Sequence, residues 1–340
     1  MDRTLGVALI GAGQISAVHA AGYREAADYC SIVAVCDTRE EVARRTADEY
    51  GAAAYTNYAD ALLDPRVDVL DVTLPHHLHY EVAAAGLQAG KHVLVEKPMA
   101  VRSSECRELI DLARSNGVTL TVAENTRFVE AYIAAKAVLD SKVLGEPRMI
   151  RTFIYGSEVE RLREGSWIGN KDAAGGGMIM DAGAHSFYLL RWLFGDIASL
   201  RALGATLVRD GHVEDNAIVL GRLTQGALFW CELTETAEIP WGERLEIYGS
   251  KGTLIADQLL DPPVVHYRGA DDFTGVPLPT VAHDLRDWKA KSIRAEVRDF
   301  VVAISEHRSP SVDPEDGLYA VLVAEKAYQS LEAAASEVLL

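Results

Sequence analysis

Apolar residues follow two rhythms along this chain. Over about the first 120 residues, short β-branched runs recur at "VALIGA" (7–12), "SIVAVCD" (31–37), "VDVLDVTL" (67–74), "KHVLVEK" (91–97) and "VTLTVAE" (118–124). Between them lie stretches rich in Ala, Glu and Arg, such as "REEVARRTADEYG" and "SSECRELIDLARSNG", the latter stopping on Asn116-Gly117, a good helix end. Strands alternating with helices predict βαβ units and a parallel sheet. Runs that are apolar throughout predict strands covered on both faces.

The rhythm then changes. A helix is expected around 130–143, followed by "PRMIRTFIYG", "SLRALGATLVR", "NAIVLGRLTQGALFWCELTETA" and "ERLEIYGSKGTLIAD". These read as strands joined at "TQG" and "SKG", a mostly antiparallel sheet. Residues 293–307 and 315–337 read as closing helices, and 261–290, with Pro262-Pro263, Pro277 and Pro279, as an irregular excursion. The expected fold class is α/β: an N-terminal doubly wound parallel sheet over 1–123, then a C-terminal α+β domain with a mostly antiparallel open sheet over 124–340.

The chain has 340 residues and a net charge of −17. That length suits two domains. The charge argues against nucleic acid or an anionic membrane surface as partners. No apolar stretch is long enough to span a bilayer, and the N-terminus does not read as a cleaved signal. Cys30, Cys36, Cys106 and Cys231 show no C-x-x-C spacing, which points to reduced thiols in a cytoplasmic protein.

The candidate chemistry begins at "GAGQIS" (11–16), directly after the first strand. In a dinucleotide fold Gly11 permits the tight turn and Gly13 lets the backbone approach a pyrophosphate; Ser16 stands where a third glycine would pack helix on strand. Gln14 and Ile15 would offer free N–H groups at the helix start. Asp37 ends the second strand, 21 residues beyond Ser16, where an acid can accept from ribose hydroxyls and repel a 2′-phosphate. This favours NAD; Arg39, two residues on, keeps NADP possible.

Glu96-Lys97-Pro98 ends another strand, where the ligand crevice of an open parallel sheet lies. Lys97 could donate there to a substrate oxygen. Further on, "GGGMIMDAGAHSFYLLRWLFG" (175–195) reads as a buried helix. It places Asp181 and His185 four apart on one face, a spacing for an oriented base or, alternatively, two metal ligands; no third ligand is evident and no metal is expected. "LPHHLHYE" (74–81), with His76, His77 and His79, reads as loop surface. The backbone of Thr73, Leu74, Pro75 and His76 is expected to pass the cofactor. Asn125 and Arg127 follow the last parallel strand as candidates for the nicotinamide edge or the substrate. Trp167 is the first choice for a pocket-lining aromatic ring, with Tyr155, Arg161, Lys171 and Trp241 as further pocket candidates.

Taken together, "VALIGAGQIS", "VLVEKPMA", "AENTRF", "GGGMIMDAGAHSFYLLRWLFG" and "IYGSKGTL" resemble the glucose-fructose oxidoreductase / inositol dehydrogenase / rhizopine-catabolism family over almost the whole chain. The resemblance implies a Rossmann domain followed by an open sheet whose outer face mediates dimer or tetramer contacts. It implies a catalytic set carried here by Lys97, Asp181 and His185, with Glu96 and Lys97 beside the cofactor and a Lys97–Pro98 peptide that is often cis in the family. Two positions depart from the pattern: His76 replaces an asparagine often found there, and Ser16 replaces the third glycine. The expected reaction is hydride transfer between nicotinamide and a secondary alcohol or ketone of a sugar, amino sugar or cyclitol. An NADPH-dependent keto-sugar reductase, an NAD-dependent glycosidase and a non-catalytic regulator of the same fold are the alternatives.

Overall fold

The computed structural model describes residues 4–157, 166–208, 213–272, 274–278 and 286–333. The chain divides into two compact units, Met1–Phe128 with Lys289–Val321, and Val129–Trp288 with Leu322–Leu340.

The first unit alternates as the apolar runs demand: β1 (Leu5–Ile10), α1 (Gln14–Glu25), β2 (Cys30–Cys36), α2 (Glu40–Tyr50), β3 (Ala53–Tyr55), α3 (Tyr58–Leu62), β4 (Val69–Val72), α4 (His76–Gln88), β5 (His92–Glu96), α5 (Ser103–Asn116) and β6 (Leu120–Ala123). The six strands lie in the order β3-β2-β1-β4-β5-β6, all parallel. This is the dinucleotide-binding topology, with its switch point between β1 and β4. The helix stop at Gly117 is as read, α5 ending on that left-handed glycine, and α2 ends likewise on Gly51.

The second unit contains α6 (Glu130–Asp140), β7 (Pro147–Tyr155), α7 (Lys171–Ala174), α8 (Gly183–Phe194), β8 (Ile197–Ala205), β9 (Asn216–Leu223), β10 (Leu228–Thr234), β11 (Gly242–Gly249), β12 (Thr253–Asp257), β13 (Val264–Tyr267) and β14 (Val276–Pro277). Its sheet runs β14-β13-β12-β11-β7-β10-β9-β8. Every pair is antiparallel except β7 with β10. Alternation along β9 and β10 sends Ala217, Val219, Phe229, Cys231 and Leu233 into the core. The opposite face carries Ile218, Leu220 and Leu228, all exposed, beside Arg151, which pairs with Glu232 and Glu246.

Two helices close the chain, α9 (Trp288–Ser305) and α10 (Pro314–Glu332). A single cut at 123 does not describe the grouping. Val297, Phe300, Val301 and Ile304 of α9 join Val7, Leu9, Tyr23 and Val69 in one buried cluster, so this C-terminal segment completes the core of the first unit. The apolar period along α9 announces a buried face but not which sheet receives it.

All four cysteines are buried and none is in a disulfide. Burial pushes the thiols of Cys30 and Cys231 up to about 12 and, with help from Asp37, that of Cys36 up to about 11; such thiols are inert. Among the described residues no helix is long and apolar enough to cross a membrane, and no group of three His, Cys, Asp or Glu side chains is placed to hold a metal.

Candidate active site

The glycine turn sits at the carboxyl end of β1. Gly11 adopts φ +99°, and a Cβ there would meet the Thr73 carbonyl oxygen at 2.4 Å. Only glycine fits this corner. Gly13 caps α1, and a Cβ there would have no neighbour within 4 Å. The open space lies against a helix start that has no side-chain cap and no acidic residue in its first turn. Gln14 and Ile15 therefore begin a helix whose free N–H groups and positive dipole end suit an anion. Ser16 turns inward: its hydroxyl donates to the Gly13 carbonyl at 2.7 Å, and it is small enough to stand where the third glycine would.

Asp37 follows β2 and is tied into this turn. Its Oδ2 accepts the Ala12 N–H at 3.1 Å. Arg39 folds back onto the same carboxylate through Nε at 3.0 Å, Nη2 at 3.1 Å and its own N–H at 3.0 Å. Burial by itself would raise the Asp37 pKa, but the Arg39 and Ala12 hydrogen bonds outweigh it and hold the carboxyl below its ordinary value. The arrangement fits an NAD ribose, with a fixed anion beside the phosphate turn. The nearby Arg39 guanidinium is engaged by that same carboxylate. Asp37→Ala is expected to weaken NAD binding about ten- to a hundredfold, the worth of one or two charge-assisted hydrogen bonds, and to narrow the preference over NADP; titration calorimetry with both cofactors measures this.

Thr73 closes the turn from β4, its hydroxyl donating to the Gly11 carbonyl at 2.9 Å and its N–H to Ile10 at 2.9 Å. Leu74 and Pro75 lead directly into α4. The histidine stretch is thus not loop surface. His76 and His79 are buried in the first turn of α4 and only His77 is exposed, because Pro75 starts the helix one residue before them. His79 bridges two backbone carbonyls, Pro98 at 2.8 Å and Leu74 at 2.7 Å. Burial pushes its pKa down against the pull of those carbonyls.

Lys97 follows the last residue of β5, one strand beyond the switch point, and its peptide to Pro98 is cis. Glu96 is turned inward. Its Oε2 accepts the Lys97 N–H at 2.9 Å and its Oε1 accepts from His19 Nε2 at 3.1 Å. The carboxylate thereby ties the lysine's backbone N–H to His19. Asn125 donates to the Ser292 hydroxyl at 2.8 Å and is buried in the 3-10 turn Asn125–Phe128, which also carries the half-buried Arg127.

A buried polar cluster lies beneath Glu96. His19, with no exposure, donates to Asp71 Oδ2 at 2.9 Å as well as to Glu96. Burial would lower its pKa, but the two carboxylates raise it well above the ordinary value, so both ring nitrogens carry protons. Glu296 of α9 is buried with both oxygens unpartnered. Burial, aided by Glu96, Glu124 and Asp71, pushes its pKa far up, against the lowering effect of His19. Sequence reasoning missed this cluster. Its signal was present as polar residues inside apolar patterns: His19 within an Ala-rich helix, Asp71 within "VLDV", and Glu296 facing the core.

In the second unit, Gly175–Gly177 bend around Tyr328 and Glu214. A Cβ on Gly176 would meet the Tyr328 hydroxyl at 1.9 Å, that hydroxyl donates to Glu214 Oε1 at 2.7 Å, and Ile179 N–H donates to the same oxygen at 2.9 Å. Here the structure corrects the reading of one long helix. Residues 178–182 form turns and α8 begins only at Gly183, because these hydrogen bonds engage the backbone before the helix can start. Asp181 therefore lies in the turn and His185 in the first turn of α8, both buried. Trp167 starts a 3-10 turn and is half-buried, and Lys171 starts α7 and is exposed. Tyr155 is buried, with its hydroxyl donating to Asp257 at 3.0 Å; this is a packing role. Trp241 sits one residue before β11 and packs against Gly156. Arg161 lies outside the described residues.

A parallel sheet in this order, a glycine turn opening on an uncapped helix and an acid at the end of β2 define an NAD-binding oxidoreductase domain. The family model described as "Oxidoreductase family, NAD-binding Rossmann fold" matches residues 5–124, and the one described as "GFO/IDH/MocA C-terminal domain" matches residues 132–255. The chain belongs to the GFO/IDH/MocA oxidoreductase family. It is 30% identical to an uncharacterized oxidoreductase of Synechocystis, over 96% of this chain and 94% of that one. It is 27% identical to a myo-inositol 2-dehydrogenase of Thermotoga maritima, over 96% of each. The solved structure of GenD2 from gentamicin A biosynthesis, in complex with NAD, superposes with a TM-score of 0.86 at 28% identity, covering 98% of this chain and 95% of that one.

Proposed function

We propose that the protein is an NAD-dependent dehydrogenase that oxidises a secondary alcohol on a sugar, amino sugar or cyclitol ring, reversibly. The observation that carries the reading is the rigid presentation of Lys97 at the carboxyl end of β5, in the sheet whose central strand feeds the phosphate turn. Relatives that act on inositol support the substrate class. The bound nicotinamide supplies the hydride-accepting carbon. His185 takes the hydroxyl proton as general base, Lys97 donates a hydrogen bond to the same oxygen as negative charge develops, and Asp181 orients and tunes the pair. Arg127 and Trp167 contact the ring. A thermal-shift and turnover panel with NAD, NADP and a set of sugars, aminoglycosides and inositols tests this. NADH and a keto product appearing together support a dehydrogenase; release of an aglycone without net NADH supports a glycosidase and ends the reading.

The same reading includes a homodimer or homotetramer through the uncovered face of the second unit's sheet. Leu203, Ile218, Leu220 and Leu228 are exposed there, a patch of the kind that oligomers cover. Leu220→Glu is expected to shift the assembly toward monomer in size-exclusion chromatography with light scattering, while leaving NAD affinity unchanged.

A further inference from the structure

Lys97 is held from both sides by buried histidines. On its N-terminal side, its N–H donates to Glu96 Oε2 at 2.9 Å, and Glu96 Oε1 accepts from His19 Nε2 at 3.1 Å. His19 is anchored beyond by Asp71 at 2.9 Å. On its C-terminal side, the Pro98 carbonyl lies 2.8 Å from His79 Nδ1, and the other nitrogen of that ring lies 2.7 Å from the Leu74 carbonyl. Both rings are 0% exposed. One belongs to α1, the helix that starts at the phosphate turn; the other belongs to α4 and grips the segment leading out of β4. A lysine amine rides on a flexible four-carbon stem, so the direction in which it can reach is set first by its Cα and flanking peptides.

We propose that His19 and His79 are positioning residues that fix the Glu96 carboxylate and the Pro98–Met99 peptide on either side of Lys97 and so aim its amine. The inference rests on the reading that Lys97 acts in the reaction. Both histidines act only through their neighbours. A ring buried merely to fill a polar hole would be indifferent to which of its two contacts survived substitution. The clamp is not indifferent. Gln places a donor near Nε2 and Asn near Nδ1. His19→Gln therefore retains the contact to Glu96 and His19→Asn loses it, whereas His79→Asn retains the contact to Pro98 and His79→Gln loses it.

The test is amide hydrogen exchange of the full chain, read by mass spectrometry on peptides covering residues 92–102, with β6 as an internal control. In His19→Asn exchange at the Lys97 amide, and in His79→Gln exchange at the Met99 amide, is expected to rise at least tenfold above that in the paired variant, with β6 unchanged within each pair. Turnover of the alcohol returned by the NAD panel should follow the same order, falling about tenfold or more in kcat while the KM for NAD stays within about threefold. Equal exchange in the two members of each pair overturns the clamp. So does a loss confined to NAD affinity, which would place the histidines in support of the phosphate turn. Should His19→Asn not fold, the His79 pair carries the test by itself. The exchange readout needs no substrate, so it separates the two proposals: if exchange follows the predicted order but Lys97→Ala retains turnover, the clamp stands and the catalytic reading falls.

Discussion

Lys97→Ala is expected to lower kcat by about 10²–10³ and His185→Ala by about 10²–10⁴, the ranges for removing one donor to a developing oxyanion and one positioned general base. The losses should appear in kcat, because each group is needed most when the hydroxyl proton departs and charge gathers on the oxygen. The double variant should be hardly worse than the poorer single one, since residues acting as a unit are far from additive. NAD affinity, measured by calorimetry, should persist in His185→Ala, because the phosphate turn, Asp37 and Thr73 all lie in the first unit. Single variants that keep turnover within about tenfold of the wild type would strip both residues of their catalytic roles.

The second large effect concerns the buried cluster. His19→Leu leaves Asp71 and Glu96 without their shared cation, a loss of about 3–5 kcal/mol for a broken buried pair. The pH dependence follows from the directions of the shifts. His19 has a raised folded pKa, so its contribution is fully present below about pH 6.5, its unfolded value, and is lost as pH rises through the folded one. Glu296, also raised, stays protonated in the fold while the unfolded chain releases its proton above about pH 4.3. Both terms make the native state bind more protons than the unfolded state, so stability falls with rising pH across neutrality. Asp37 and Glu96 have lowered pKa values and act oppositely: their contributions are present above about pH 4 and are lost on acidification. Glu296→Gln should flatten the neutral-to-alkaline slope by up to one proton, about 1.4 kcal/mol per pH unit. Urea unfolding from pH 5 to pH 9 measures this, and an unchanged slope in Glu296→Gln would show that the carboxyl is already ionised in the folded protein. The titratable groups facing this pair are the carboxyls of Asp71, Glu96 and Glu124 and the Tyr23 phenol, whose pKa burial and Asp71 push far up.

How much of the fold and site is legible in the sequence depends on whether the physics is local. "VALIGAGQIS" announces a strand, a glycine corner and a helix, because Gly11 must take a positive φ whatever surrounds it. Asp37 can be placed by counting, because one βα crossover has a nearly fixed length. "LPHHLHYE" misleads because three histidines in a row of polar residues look solvated; only the packing of α4 shows that His76 and His79 face inward. Asp181 looks helical because its spacing from His185 is helical, yet the hydrogen bonds from Tyr328 and Glu214 that shape the turn come from residues far along the chain.

What the sequence by itself determined about this protein is therefore its family, the parallel and antiparallel halves, and the glycine turn with the acid that follows β2, since each is written in a short window of residues. Only the tertiary structure decided that α9 completes the first core, that Glu96 turns inward, and that His19, Asp71 and Glu296 share one buried site. Those facts arise where segments tens to hundreds of residues apart meet, and the cost of burying a charge is set by the partners found there, which no local pattern specifies.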